Sequence, residues 1–123
     1  MQLHNLTDTS RTYSIPFNDT VTVQLRHISR DELLSISKQC RITRFVNHQK
    51  VEEIDSVKGD CLLGRAVIKG WSGIKAGDED ALCTPDNIDL VMTRHNTFAK
   101  FINDICTDID TLVQEEQEAE RKN

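Results

Sequence analysis

The sequence predicts an α+β fold: an N-terminal β-hairpin packed on a mainly helical domain of about four helices. Three observations predict it. Apolar residues alternate with polar ones in two short runs near the N-terminus. From Ser29 onward they recur at helical spacing. Cap signals stand where those periodic stretches begin. At 123 residues the chain is near the common size of one domain. Residues 1–10 read as a flexible arm, 11–113 as the domain, and 114–123 as a charged, frayed tail.

Tyr13, Ile15 and Phe17 form the first alternating run, and Val21, Val23 and Leu25 the second. Asn18-Asp19 between them reads as the turn. Pro16 has no backbone N–H to give, which suits an edge strand. Ser29-Arg30-Asp31-Glu32 fits a capping box in which Ser29 caps and Glu32 reaches back. Leu33, Ile36 and Cys40 then mark a helix over about 30–40. Arg41 to Ile54 is ambiguous. Ile42, Phe45 and Val46 suit a short strand with Val51 and Ile54 pairing back on it, and a loop fits equally well.

Asp55 or Ser56 can cap the second helix. Val57, Cys61, Gly64, Ile68 and Trp71 form one stripe, which extends that helix to the tryptophan. Gly64 costs helix propensity and marks a place where another element approaches closely. Ile74 to Leu82 reads as a polar surface loop. Thr84 caps a third helix, with Pro85 in its first turn, where no donor is needed. Ile88, Val91, Met92 and His95 share one face, and Asn96 can cap the next helix. Phe98, Phe101, Ile102, Ile105, Ile109, Leu112 and Val113 define the last helix. Beyond Val113 the sequence is helical in propensity but has nothing to bury.

Composition narrows the function. A net charge of -5 argues against a general affinity for nucleic acid or for an anionic membrane surface. Met1 to Asn5 lacks the order of a signal peptide, and no apolar run is long enough to span a bilayer. A soluble, cytoplasmic protein is expected. Cys40, Cys61, Cys83 and Cys106 form no C-x-x-C pair and read as reduced thiols packed as small hydrophobes. A zinc site drawing on His27, His48 or His95 would lack the local pairing of structural zinc sites. Asp78, Glu79 and Asp80 lack the ligand spacing of a calcium loop. Asp104 and Asp108 lie away from Ile105 and Ile109, on the solvated side of their helix. No nucleotide, hydrolase or metalloprotease motif is present. The expectation is a protein without catalytic residues, cofactor or metal.

One stripe points elsewhere. The apolar face from Phe98 to Leu112 spans about four turns, longer than a small, aromatic-poor domain easily covers. Most of it completes a core; any excess would dock a partner helix.

The order Trp71-x-Gly73, Gly77, Thr84-Pro85-x-Asn87, an apolar helix, and Phe98 in a final amphipathic helix with a charged tail resembles the tail assembly chaperones of long-tailed bacteriophages. An extended segment at 21–28 leading into the capped helix at Ser29 is similar too. The resemblance follows the order of elements over 12–120 and is sharp only over 70–101. The cysteine content and the acidic 78–80 segment depart from the pattern. The resemblance implies a small protein of the infected host's cytoplasm. It would bind the long, helical tape measure protein, keep it soluble until tail tube subunits polymerise around it, and be absent from the mature virion. The tail tube protein and a second copy of the chain are further candidate partners. Trp71, Phe98, Phe101, Ile105 and Ile109 are the candidate client-facing residues. The alternatives are a structural virion component, such as a small tail or head–tail joining protein, and a small protein-binding adaptor.

Overall fold

A computed structural model describes the backbone of residues 11–121, and the side chains of these except 112–114 and 116–121. The arm expected over 1–10 lies outside the described residues. Within them the chain forms seven strands and four helices, and the α+β architecture is as predicted.

Strands β1 (Thr12–Pro16) and β2 (Thr22–Arg26) form the N-terminal hairpin, with Tyr13 opposite Leu25 and Ile15 opposite Val23. Asn18 shapes the turn: its carboxamide oxygen accepts from the amides of Thr20 at 2.9 Å and Val21 at 2.7 Å. Strand β5 (Ile68–Ser72) pairs antiparallel with the other edge of β2, giving the order β1-β2-β5. Pro16 therefore lies on an edge strand, as its missing donor requires.

Helix α1 (Arg30–Gln39) begins at Ser29, whose hydroxyl accepts from the Glu32 amide. The Glu32 carboxylate does not serve the capping box alone. It takes two bonds from the Arg26 guanidinium, at 2.7 and 3.2 Å, and one from the Ser29 hydroxyl. Arg26 is buried, so this pairing satisfies a charge that would otherwise be costly in the interior.

The ambiguous segment is a hairpin. Strands β3 (Arg41–Val46) and β4 (Gln49–Ile54) pair along their whole length around Asn47 and His48. Both turn residues have positive φ, 52° and 64°, the geometry of a type I′ turn.

Helix α2 (Ser56–Val67) is capped by Asp55, whose carboxylate accepts from the Lys58 amide at 3.1 Å. It ends four residues before the tryptophan. Ile68 and Trp71 stand in β5, not on a helical stripe, and Ile68 follows the helix with no intervening loop. The helical spacing misleads because β5 carries a bulge. Leu25 pairs with Ile68 and Gln24 with Gly70, leaving Lys69 as the extra residue. Residues three apart can then face the same side of a strand.

The 74–82 loop contains a minimal hairpin, β6 (Lys75–Ala76) with β7 (Glu79–Asp80), turning at Gly77. Helix α3 (Pro85–Arg94) starts as expected, with Thr84 accepting from the Asn87 amide. Helix α4 runs Asn96–Arg121, past Val113 where the apolar stripe stops. Its first turn is served by His95, whose Nδ1 accepts from the Phe98 amide at 3.1 Å; the cap expected at Asn96 falls one residue earlier.

The core lies between the three-stranded sheet and helices α2, α3 and α4. Val23 and Leu25 meet Leu63, Val67, Ile88, Met92, Phe98 and Ile102. It is mostly aliphatic, in keeping with the composition. Gly64 marks the close approach foreseen for it. A Cβ there would come within 2.9 Å of both Ile88 and Met92 on α3.

Candidate docking surface

The five candidate client-facing residues do not form one exposed face. Phe98 and Ile109 are each 2% exposed and belong to the core, so neither stands on an exposed face. That is a correction to the expected face: the long stripe of α4 is largely spent on the domain's own interior. Phe101 and Ile105 are half-buried against the core. Trp71 is half-buried on β5, and its indole N–H donates to the Ala81 carbonyl at 2.8 Å. It anchors the end of the β6–β7 loop to the sheet.

Beside these residues the structure opens a groove that the sequence does not reveal. The β1–β2 turn brings Phe17 over α4, where its ring packs against Phe98 at 5.2 Å and Phe101 at 5.1 Å. The His95 ring meets Phe17 edge-on at 5.7 Å. Between this cluster and α3 lies a groove of about 400 Å³, with Phe17, Val21, Ile74, Leu90 and Val91 among its walls. Its volume falls in the range of ordinary binding pockets. Arg94 and His95 supply polar groups at its edge. Leu90 is 57% exposed. It stands off the Ile88-Val91-Met92-His95 face of its helix, and a leucine on the solvent side is the one signal available in the sequence.

The geometry of this segment is firmly set. Gly73 has φ 86°, and a Cβ there would lie 2.0 Å from the Thr20 carbonyl oxygen, so only glycine fits between β5 and the β1–β2 turn. Arg65 on α2 grips the Asp89 carboxylate with Nε at 2.8 Å and with its Nη2. The Arg65 guanidinium holds the Asp89 carboxyl below the usual aspartate range, and its own affinity for the proton rises in return. This pair ties α2 to α3 at the surface, where its contribution to stability is small.

Chemistry is harder to find. Burial pushes the Cys106 thiol up to about 11 and raises that of Cys83, so both are protonated at neutral pH and poor nucleophiles. All four cysteines are free thiols. A second cavity, of about 560 Å³, lies between α1 and α4, with Leu33, Cys106 and Asp110 on its walls. Among the described residues no three His, Cys, Asp or Glu side chains are grouped to hold a metal ion. Among them, too, no helix is long and apolar enough to cross a membrane.

A second apolar surface is the β3–β4 ribbon. Phe45 is 77% exposed and Ile54 67%, and apart from Ile42 every residue of the two strands is open to solvent. Comparison with known protein families, curated proteins and solved structures gave no match to this chain.

Proposed function

We propose that this chain is a tail assembly chaperone of a long-tailed bacteriophage, which binds apolar stripes on the helical tape measure protein and keeps it soluble in the host cytoplasm. One observation carries the proposal. The segment where the resemblance is sharp, 70–101, supplies Ile74, Leu90, Val91, His95 and Phe98 to a single apolar groove. Phe98 forms its floor from the core, and Leu90 stands exposed at its side. An apolar side chain from an amphipathic helix suits such a groove. Trp71 serves by bracing the loop from which Ile74 projects.

No bond need be made or broken in this task. Covering client leucines and isoleucines removes the surface that drives aggregation. The chain's net charge of -5 keeps the complex apart from other complexes. Each contact can be weak, because many copies along one long client act together.

The test is co-expression with the tape measure protein of the same phage. The soluble fraction of the client should rise severalfold, and the two should co-elute on gel filtration. Leu90→Asp, an exposed change, should leave the chaperone folded and abolish the gain. Mature particles analysed by mass spectrometry should lack the chain. A client no more soluble with the chaperone than without it would end the proposal, and abundant chain in finished virions would favour a structural role instead.

A further inference from the structure

Helix faces and cavities aside, the least explained part of the molecule is the β3–β4 ribbon. Among the described residues it is a two-stranded sheet with both outer edges open, and it makes only sparse contact with the rest of the fold. An isolated ribbon is marginal in water, and an open edge invites another strand. We propose that the free edge of β4 pairs antiparallel with β4 of a second copy of this chain, closing a dimer around Val51.

The pairing geometry restricts the choice. In a two-residue I′ hairpin the residues flanking the turn, Val46 and Gln49, share a hydrogen-bonded pair. Gln49, Val51 and Glu53 therefore spend their amides on β3, while Lys50, Glu52 and Ile54 turn theirs outward. A symmetric antiparallel pair must set outward residues opposite outward residues. Three registers bring the middle of the strand together. One sets Lys50 opposite Lys50, and another sets Glu52 opposite Glu52; like charges directly opposed are destabilising. The remaining register sets Lys50 of each copy opposite Glu52 of the other, with Val51 facing Val51 on the two-fold axis. Charge alone thus selects one arrangement.

The β3 edge cannot do the same. It carries Arg41 and Arg44 and no acidic residue, so no register gives it an opposite-charge pair with a second β3. Growth stops at two, in a closed sheet of order β3-β4-β4-β3. The axis runs perpendicular to that sheet, so Phe45 and Ile54 of both copies share one face.

Sedimentation of the purified chain over a concentration series should show its mass rising from 14.0 kDa toward twice that value. Lys50→Glu and Glu52→Lys each place two like-charged pairs across the axis, and each alone should weaken association by about tenfold or more. An equimolar mixture of the two variants restores opposite charges at both positions and should associate again. Val51→Cys should form a cross-linked dimer on mild oxidation that the parent chain does not, since facing residues at a non-hydrogen-bonded pair lie about 4.5 Å apart. A chain that stays monomeric throughout, a dimer indifferent to both single variants, or a mixture no more associated than its components would each overturn the proposal.

Discussion

The molecule contains two antiparallel hairpins of nearly equal length, and they meet opposite fates. The β1–β2 hairpin turns on an Asn18 side-chain bracket, gains β5 as a third strand, and buries Val23 and Leu25 completely. The β3–β4 hairpin has the tighter turn and one more residue per strand, yet among the described residues it gains no third strand, and it buries nothing fully. Turn chemistry and cross-strand pairing are enough to shape a hairpin. Burial depends on what the rest of the chain brings to it. Apolar residues on the first hairpin hold the fold; those on the second are free to meet something outside it.

Truncating one aromatic in each region gives the largest contrast. Phe98→Ala empties the centre of the core and should cost about 3–5 kcal/mol in chemical denaturation. Phe45→Ala removes an equally large side chain from the ribbon and should change stability by no more than about 0.5 kcal/mol. Equal losses would mean that the ribbon packs on the body in solution.

Next comes Gly64→Ala on α2. Helix propensity alone would favour alanine by about 1 kcal/mol. The new methyl, however, would press on Ile88 Cγ2 and Met92 Cγ, both on buried side chains, the first a methyl held stiffly at a branched Cβ. Overpacking of this kind costs about 1–3 kcal/mol, so the variant should be less stable on balance. A more stable variant would show that α2 and α3 can part without cost.

The same contrast explains what is legible in the sequence. The first hairpin, the Ser29 and Thr84 caps and the Gly64 contact each rest on a local rule, and each appears where that rule puts it. β5 escapes such a reading because a bulge at Lys69 gives Ile68 and Trp71 the spacing of a helix. β3–β4 is ambiguous because its residues do not alternate cleanly: both faces mix charge and apolar groups, as a ribbon wet on both sides allows. The groove is hidden for a different reason. Phe17 and Leu90 lie far apart in sequence, and only the sheet's packing on α3 and α4 brings them together. A long apolar stripe such as Phe98 to Ile109 cannot by itself say how much of it the domain will cover.

The ion pair between the sheet and α1 gives a smaller, pH-dependent effect. The hydrogen bonds from Arg26 hold the Glu32 carboxyl below its ordinary value of 4.5. The folded state therefore favours the ionised form, and this stabilisation is present above 4.5 and lost as the pH falls below it. Glu32→Gln leaves the Arg26 guanidinium without its charged partner and should cost about 1–2 kcal/mol near neutral pH. Well below 4.5 the wild-type protein should lose its advantage and approach the variant. A gap that stays constant with pH would place the stabilisation in packing.

The smallest effect sharpens the comparison of the hairpins most. His48 holds φ 64°, a left-handed conformation that costs a side-chain-bearing residue about 1 kcal/mol and costs glycine nothing. Asparagine followed by glycine is also the preferred pair for a type I′ turn, and Asn47 already supplies the first of the two. His48→Gly should therefore strengthen the ribbon. Because β3–β4 shares so little with the core, that gain should stay local. Amides of the ribbon should exchange with solvent severalfold more slowly, while the midpoint of global unfolding stays where it was. If the midpoint rose together with the protection, the ribbon would be part of the cooperative unit, and its exposed apolar residues would have to be explained from within the fold.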